Sequence, residues 1–60
     1  MVYKGAIFDI QESMGTARVT YDGIVTPPLI VQVGGLLRPG DEVVFVLFDD
    51  ATGVIFARMR

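Results

Sequence analysis

Residues 41–50 read DEVVFVLFDD, and the fold is decided by how this stretch is taken. Six consecutive apolar residues, Val43 to Phe48, are bounded by acids on both sides. The run is too short for a buried helix and rich in β-branched and aromatic residues, so it reads as a strand, Glu42 to Phe48. Strand side chains alternate between faces. Val43, Phe45 and Leu47 share one face; Val44, Val46 and Phe48 share the other. A strand in a small barrel needs only one buried face, and no helix is expected elsewhere in the chain to cover the second. The surplus face therefore needs a partner.

Working outward, Asp49 to Gly53 reads as a turn. Val54 to Arg60 reads as the last strand, with Ile55, Ala57 and Met59 on one face and Val54, Phe56, Arg58 and Arg60 on the other. Upstream, Pro39-Gly40 fits the two central positions of a type II turn. Leu36, Leu37 and Arg38 form a connector that lays one leucine across a barrel end. Gly34-Gly35 closes a third strand, Ile24 to Val33. Pro27-Pro28 interrupts that strand and is read as a bend at a barrel corner, because proline has no N–H to give a ladder. Leu29, Val31 and Val33 face the core and Gln32 faces water. Asp22-Gly23 is a hairpin dipeptide. Thr16 to Tyr21 alternates cleanly, with Ala17, Val19 and Tyr21 opposite Arg18 and Thr20. Gln11 to Gly15 is a loop, and Val2 to Ile10 is the first strand. Five short strands with a bent third predict an all-β fold: one domain over 1–60, a small five-stranded Greek-key barrel of the OB type, with an SH3-like barrel as the alternative.

Composition narrows the function. Sixty residues bury only about 60% of the surface exposed by the unfolded chain, and domains this small commonly rely on disulfides, metals or partner subunits. There is no cysteine and no histidine, so no disulfide, thiolate or imidazole ligand is available. The acids are scattered and form no calcium-loop pattern, so no metal and no cofactor is expected. Hydrophobic residues make up 52% and charged residues 20%. That surplus of apolar surface points to association with other subunits. With a net charge of −2 and no basic stripe, binding through nucleic-acid phosphates is disfavoured. No leader and no run of roughly 20 apolar residues is present, so a soluble chain starting at its own methionine and making no membrane contact is expected.

Candidate chemistry is thin, and no catalytic residue is expected. Ser13 beside Glu12 has no base to activate it and reads as loop. Asp41-Glu42 and Asp49-Asp50 sit beside turns, where Asp bonds the local backbone; adjacent strand residues also point apart and cannot converge on one substrate. Gly34-Gly35 lacks the Lys, Ser/Thr and helix of a phosphate loop. An alternative function is binding of single-stranded nucleic acid, with Tyr3 and Tyr21 as stacking platforms and Lys4 and Arg18 as cations. The other rings, Phe8, Phe45, Phe48 and Phe56, are mostly flanked by aliphatic residues and read as core or interface. Arg58, Met59 and Arg60 either blunt a solvated strand edge or reach acids on a neighbouring subunit. Val44, Val46, Phe48, Phe56, Arg58 and Arg60 are the expected oligomer interface.

The order of these features resembles a known group. KGAIFDI (4–10), GTARVTYDG (15–23) and LIVQVGGLLRPGDEVVFVLFDDATGVIFARMR (29–60) are similar to the small OB domains of bacteriophage tails and baseplates. These occur in spike-type proteins, in the related type VI secretion spikes and in free-standing ring-forming proteins encoded among siphophage tail genes. The matching positions are Gly5–Ile7, Gly15–Val19, Pro39–Val43 and Gly53–Ile55. The aromatic-rich segment before the third strand and the β-helical needle of the spikes are absent. The resemblance therefore implies a stand-alone, non-enzymatic barrel. Such a barrel would form a homo-oligomeric ring, hexameric by analogy with tail symmetry, and associate with other phage tail proteins. It would act in tail or baseplate assembly as a minor structural component or a chaperone, in the host cytoplasm during assembly or in the virion tail.

Overall fold

The computed structural model describes residues 2–59. It contains six strands: β1 Val2–Gln11, β2 Thr16–Tyr21, β3 Ile24–Val25, β4 Leu29–Val31, β5 Glu42–Leu47 and β6 Gly53–Arg58. β1 pairs antiparallel with both β5 and β2, and β2 pairs antiparallel with β4. The neighbour order β5-β1-β2-β4 is a Greek key, in which a late strand returns beside the first. β6 forms a hairpin with β5 and closes the circuit by lying parallel to β4, Ile30 opposite Val54 and Val31 opposite Ile55. The result is a closed, mixed five-stranded barrel of the OB-like kind, with β3 as a short extra strand on β2.

Each turn follows from its residues. Asp22 and Gly23 both have positive φ, 49° and 76°, the geometry of a two-residue type I′ hairpin. The Asp41 N–H donates to the Arg38 carbonyl at 3.0 Å around Pro39-Gly40, and Gly40 has φ 93°, as a type II turn requires. The loop expected at 11–15 is shorter: β1 runs on to Gln11, and Glu12–Met14 forms one 3-10 turn that ends at left-handed Gly15. The third strand is divided in two at Thr26–Pro28. The Val19 N–H donates to the Thr26 hydroxyl while the Thr26 N–H returns to the Val19 carbonyl, so this buried threonine carries the pairing across the break.

The core contains Ile7, Ala17, Val19, Leu29, Val43, Phe45 and Ile55, with Leu37 laid over one end. Tyr3, Tyr21 and Phe45 pack ring on ring, with centroids 5.1–5.7 Å apart. The alternation expected for β2, β4 and β5 places these residues correctly. β1 must serve two neighbours, so it bends where it passes from β5 to β2. At that bend a Cβ on Gly5 would lie 2.4 Å from the Thr20 carbonyl oxygen, a distance that excludes any side chain.

Two expectations are corrected. The single alternation assigned to Val54–Arg60 fails at a bulge: Ile55 opposes Phe45, but Ala57 opposes Val44 and Arg58 opposes Val43. Phe56 is the extra residue, and beyond it the faces are exchanged. The final turn also differs. The Phe48 carbonyl accepts from the Ala51 N–H and the Phe48 N–H donates to the Thr52 carbonyl, which makes a three-residue loop whose last position is left-handed. Ala51, with φ 64°, occupies that position, while Gly53 is already a buried strand residue.

That loop yields a prediction. A left-handed alanine costs about 1–2 kcal/mol, and glycine gives back about 0.5–1 kcal/mol of this through its greater unfolded-state entropy. Ala51→Gly should therefore stabilise the protein, raising its Tm by about 2–8 °C. Calorimetry that finds an unchanged or lower Tm would contradict this loop geometry.

Candidate interaction surface

The outside of the barrel is two-sided. On the wall formed by β1, β5, β6 and β4, the register places Val2 opposite Val46, Val46 opposite Val54 and Val54 opposite Ile30, an apolar row four strands wide. A second row sets Lys4 opposite Val44 and Val44 opposite Ala57. Val2 is 61% exposed, Ile30 49% and Phe56 47%, while Val44, Val46 and Val54 are half-buried. The next position along gives Ala6 opposite Glu42, so Lys4 and Glu42 put opposite charges on the same wall, both to one side of the Val2–Val46 row.

The wall of β1 and β2 is polar. Arg18 forms a forked ion pair with Asp9, its Nε donating to Oδ1 at 2.8 Å. Gln11 Nε2 donates to the same oxygen at 2.7 Å, and Thr16 Oγ1 donates to Gln11 Oε1 at 3.0 Å. The Arg18 hydrogen bond holds the Asp9 carboxyl below its usual range, against a smaller opposing effect of burial. A β1 bulge between Ile7 and Asp9 makes Phe8 the extra residue and sets Asp9 opposite Arg18, and the Arg18 guanidinium lies over the exposed Phe8 ring at 5.1 Å. The charges on this wall are therefore largely satisfied within the chain.

Val44, Val46 and Phe56, three of the expected interface residues, belong to the apolar wall. Phe48 lies at the edge of it, one residue past the strand. β5 ends at Leu47, and Phe48 stands exposed at the start of the last turn. Arg58 lies past the bulge at the far end of the barrel, 3.7 Å from Asp41, so its acid lies in its own chain. Arg60 lies outside the described residues. Val2, Val54 and Ile30 belong to the wall but escaped the sequence reading. Their strand positions were legible, but which strands lie side by side was not.

The other candidate groups are tied into local structure. Asp41 Oδ2 accepts the Arg38 N–H at 2.9 Å, and Asp50 accepts from the N–H and hydroxyl of Thr52, chiefly the hydroxyl, which holds its carboxyl low. Ser13 is exposed in the 3-10 turn. Tyr3 and Tyr21 pack on Phe45 rather than standing free as stacking platforms. Among the described residues, no three acids gather closely enough to hold a metal ion.

An open groove of about 360 Å³ lies at the barrel end crossed by Leu37, between Ile10, Thr16, Val31 and Leu36, with Glu12 at its edge. Together, barrel and surfaces define a small OB-like domain with one apolar wall, one polar wall and an apolar depression at one end. No protein-family model and no curated protein sequence matches this chain.

Proposed function

We propose that this chain is a non-enzymatic interaction module that self-associates through the wall of β1, β5, β6 and β4. On this reading it serves the assembly of a bacteriophage tail or baseplate, as a small ring component or as a chaperone that shields apolar surface. The observation that carries self-association is the continuous row Val2–Val46–Val54–Ile30 on a wall that also holds its own cation and carboxylate, Lys4 and Glu42. A two-fold contact can place each Lys4 against the partner's Glu42, so a second copy satisfies the wall in both polarity and charge. The phage setting rests on the sequence resemblance, which the OB-like barrel accommodates. Nucleic-acid binding has less support, because Tyr3 and Tyr21 are engaged in the core and Arg18 is paired with Asp9.

Val46→Asp tests this reading. An unpaired charge in a desolvated contact costs about 3–5 kcal/mol, so the self-dissociation constant should rise by a factor of about 10²–10³ or more. Light scattering coupled to size exclusion should give a wild-type mass that is a multiple of 6.5 kDa and a smaller mass for the variant. A wild-type mass of 6.5 kDa, or a variant as large as wild type, would reject the proposal.

A further inference from the structure

The wall alone builds only pairs, because a self-complementary two-fold contact is used up once two copies meet. A ring or tube needs a second contact between unlike surfaces, and the two barrel ends differ. At one end, β5 turns into β6. There Phe48 stands 51% exposed beside Asp49 and Asp50, and the parallel β4–β6 and antiparallel β2–β4 pairings bring Asp22 of the neighbouring hairpin to the same end. Among the described residues, Asp22, Asp49 and Asp50 have no ion-pair partner.

The opposite end holds the groove. Leu37 forms its floor, Leu36 is 66% exposed at its edge, and Arg38 follows directly in the chain. Arg38 is exposed and, among the described residues, has no acid within ion-pair distance; Arg58 lies at this end too. One end thus carries a half-exposed phenyl ring flanked in sequence by Asp49 and Asp50, with Asp22 at the same end. The other presents an apolar depression of about 360 Å³, roomy enough for a phenyl group, with Glu12 in its lining and Arg38 next in the chain to Leu37.

We infer that copies of this chain associate head to tail, with Phe48 of one copy entering the groove of the next and its aspartates meeting Arg38. This builds on the proposed self-association but uses different residues. A contact between unlike surfaces closes into a ring when its rotation allows, and otherwise continues as a filament.

The test mixes two variants. Phe48→Asp lacks the ring and keeps its groove; Leu36→Asp lacks the groove edge and keeps its ring. Both sites are exposed, and Phe48→Ser and Leu36→Ser give the same readout if an aspartate unfolds the chain. Each variant alone should be smaller than wild type by light scattering. Mixed one to one, they should form a larger species than either alone, because every intact Phe48 then meets an intact groove. A mixture showing only the two separate masses overturns the head-to-tail contact, as does either variant retaining the wild-type mass. Failure of the wall contact reads differently: the variants are then single chains, and the mixture forms pairs of 13 kDa, twice 6.5 kDa.

Discussion

Phe45→Ala should leave the barrel unfolded, or nearly so, at 37 °C. Phe45 is fully buried and is the largest of the enclosed side chains. It sits on β5 between β1 and β6, and its ring is the one on which both Tyr3 and Tyr21 rest, at 5.7 Å and 5.4 Å. Removing a buried phenyl ring costs about 3–5 kcal/mol when the surroundings cannot close over the gap. Here the tyrosines could collapse inward only by leaving the stacked positions that cover that end of the core. A 60-residue domain has about 3–9 kcal/mol of stability in total. Urea unfolding followed by far-UV circular dichroism should show either no cooperative transition or a midpoint reduced by about half or more. A midpoint within about 0.5 M of wild type would mean that the aromatic cluster is not the centre of the core. Tyr3→Phe serves as control, because it keeps the ring.

Self-association bears on how this effect is read. If copies assemble as proposed, the measured stability of wild type depends on concentration, since binding to the folded state raises apparent stability by mass action. Comparing Phe45→Ala and wild type at several concentrations separates loss of core from loss of partners. A core defect persists at every concentration, whereas a defect of association shrinks as the protein is diluted.

Much of the fold was legible because strand alternation and turn chemistry are local. The inward residues Ala17, Val19, Leu29, Val43, Phe45 and Ile55 could be read from period two, and Asp22-Gly23 and Pro39-Gly40 fixed their own turns. What escaped has a common cause. A bulge adds one residue to a strand without changing its composition, so nothing in Val54–Arg60 announces that Phe56 resets the alternation. The bulge in β1, which brings Asp9 opposite Arg18, is silent for the same reason. The apolar wall was half legible: Val44 and Val46 declared a surplus face, but Val2 joins it only through the pairing of β1 with β5, Val54 through the β5–β6 register, and Ile30 only once β6 lies parallel to β4. The groove was not legible at all, since it is made by segments as distant as Ile10 and Leu36.

Gly53→Ala should be nearly as damaging as Phe45→Ala, although it adds a single methyl group. Gly53 reads as an ordinary turn glycine, a position where alanine is usually a modest change. In the barrel it is a strand residue opposite Leu47, and it is buried. A Cβ there would lie 2.3 Å from the Val46 carbonyl oxygen and 3.0 Å from Leu29 Cδ2. The first of these is backbone and cannot rotate away. Relief requires β5 and β6 to separate at the start of their hairpin, or Leu29 to leave the core. Overpacking commonly costs about 1–3 kcal/mol, and a clash with paired backbone should reach the top of that range or exceed it. Thermal unfolding should show a Tm lowered by about 12 °C or more. The contrast with Ala51→Gly, two residues away, makes the pair informative. One substitution removes a methyl group from a left-handed position and should stabilise; the other adds a methyl group between two strands and should destabilise. If both changes shift Tm by less than about 3 °C, the path of the chain from Phe48 to Gly53 is not the one described here. The head formed by Phe48, Asp49 and Asp50 would then lose its geometric basis as well.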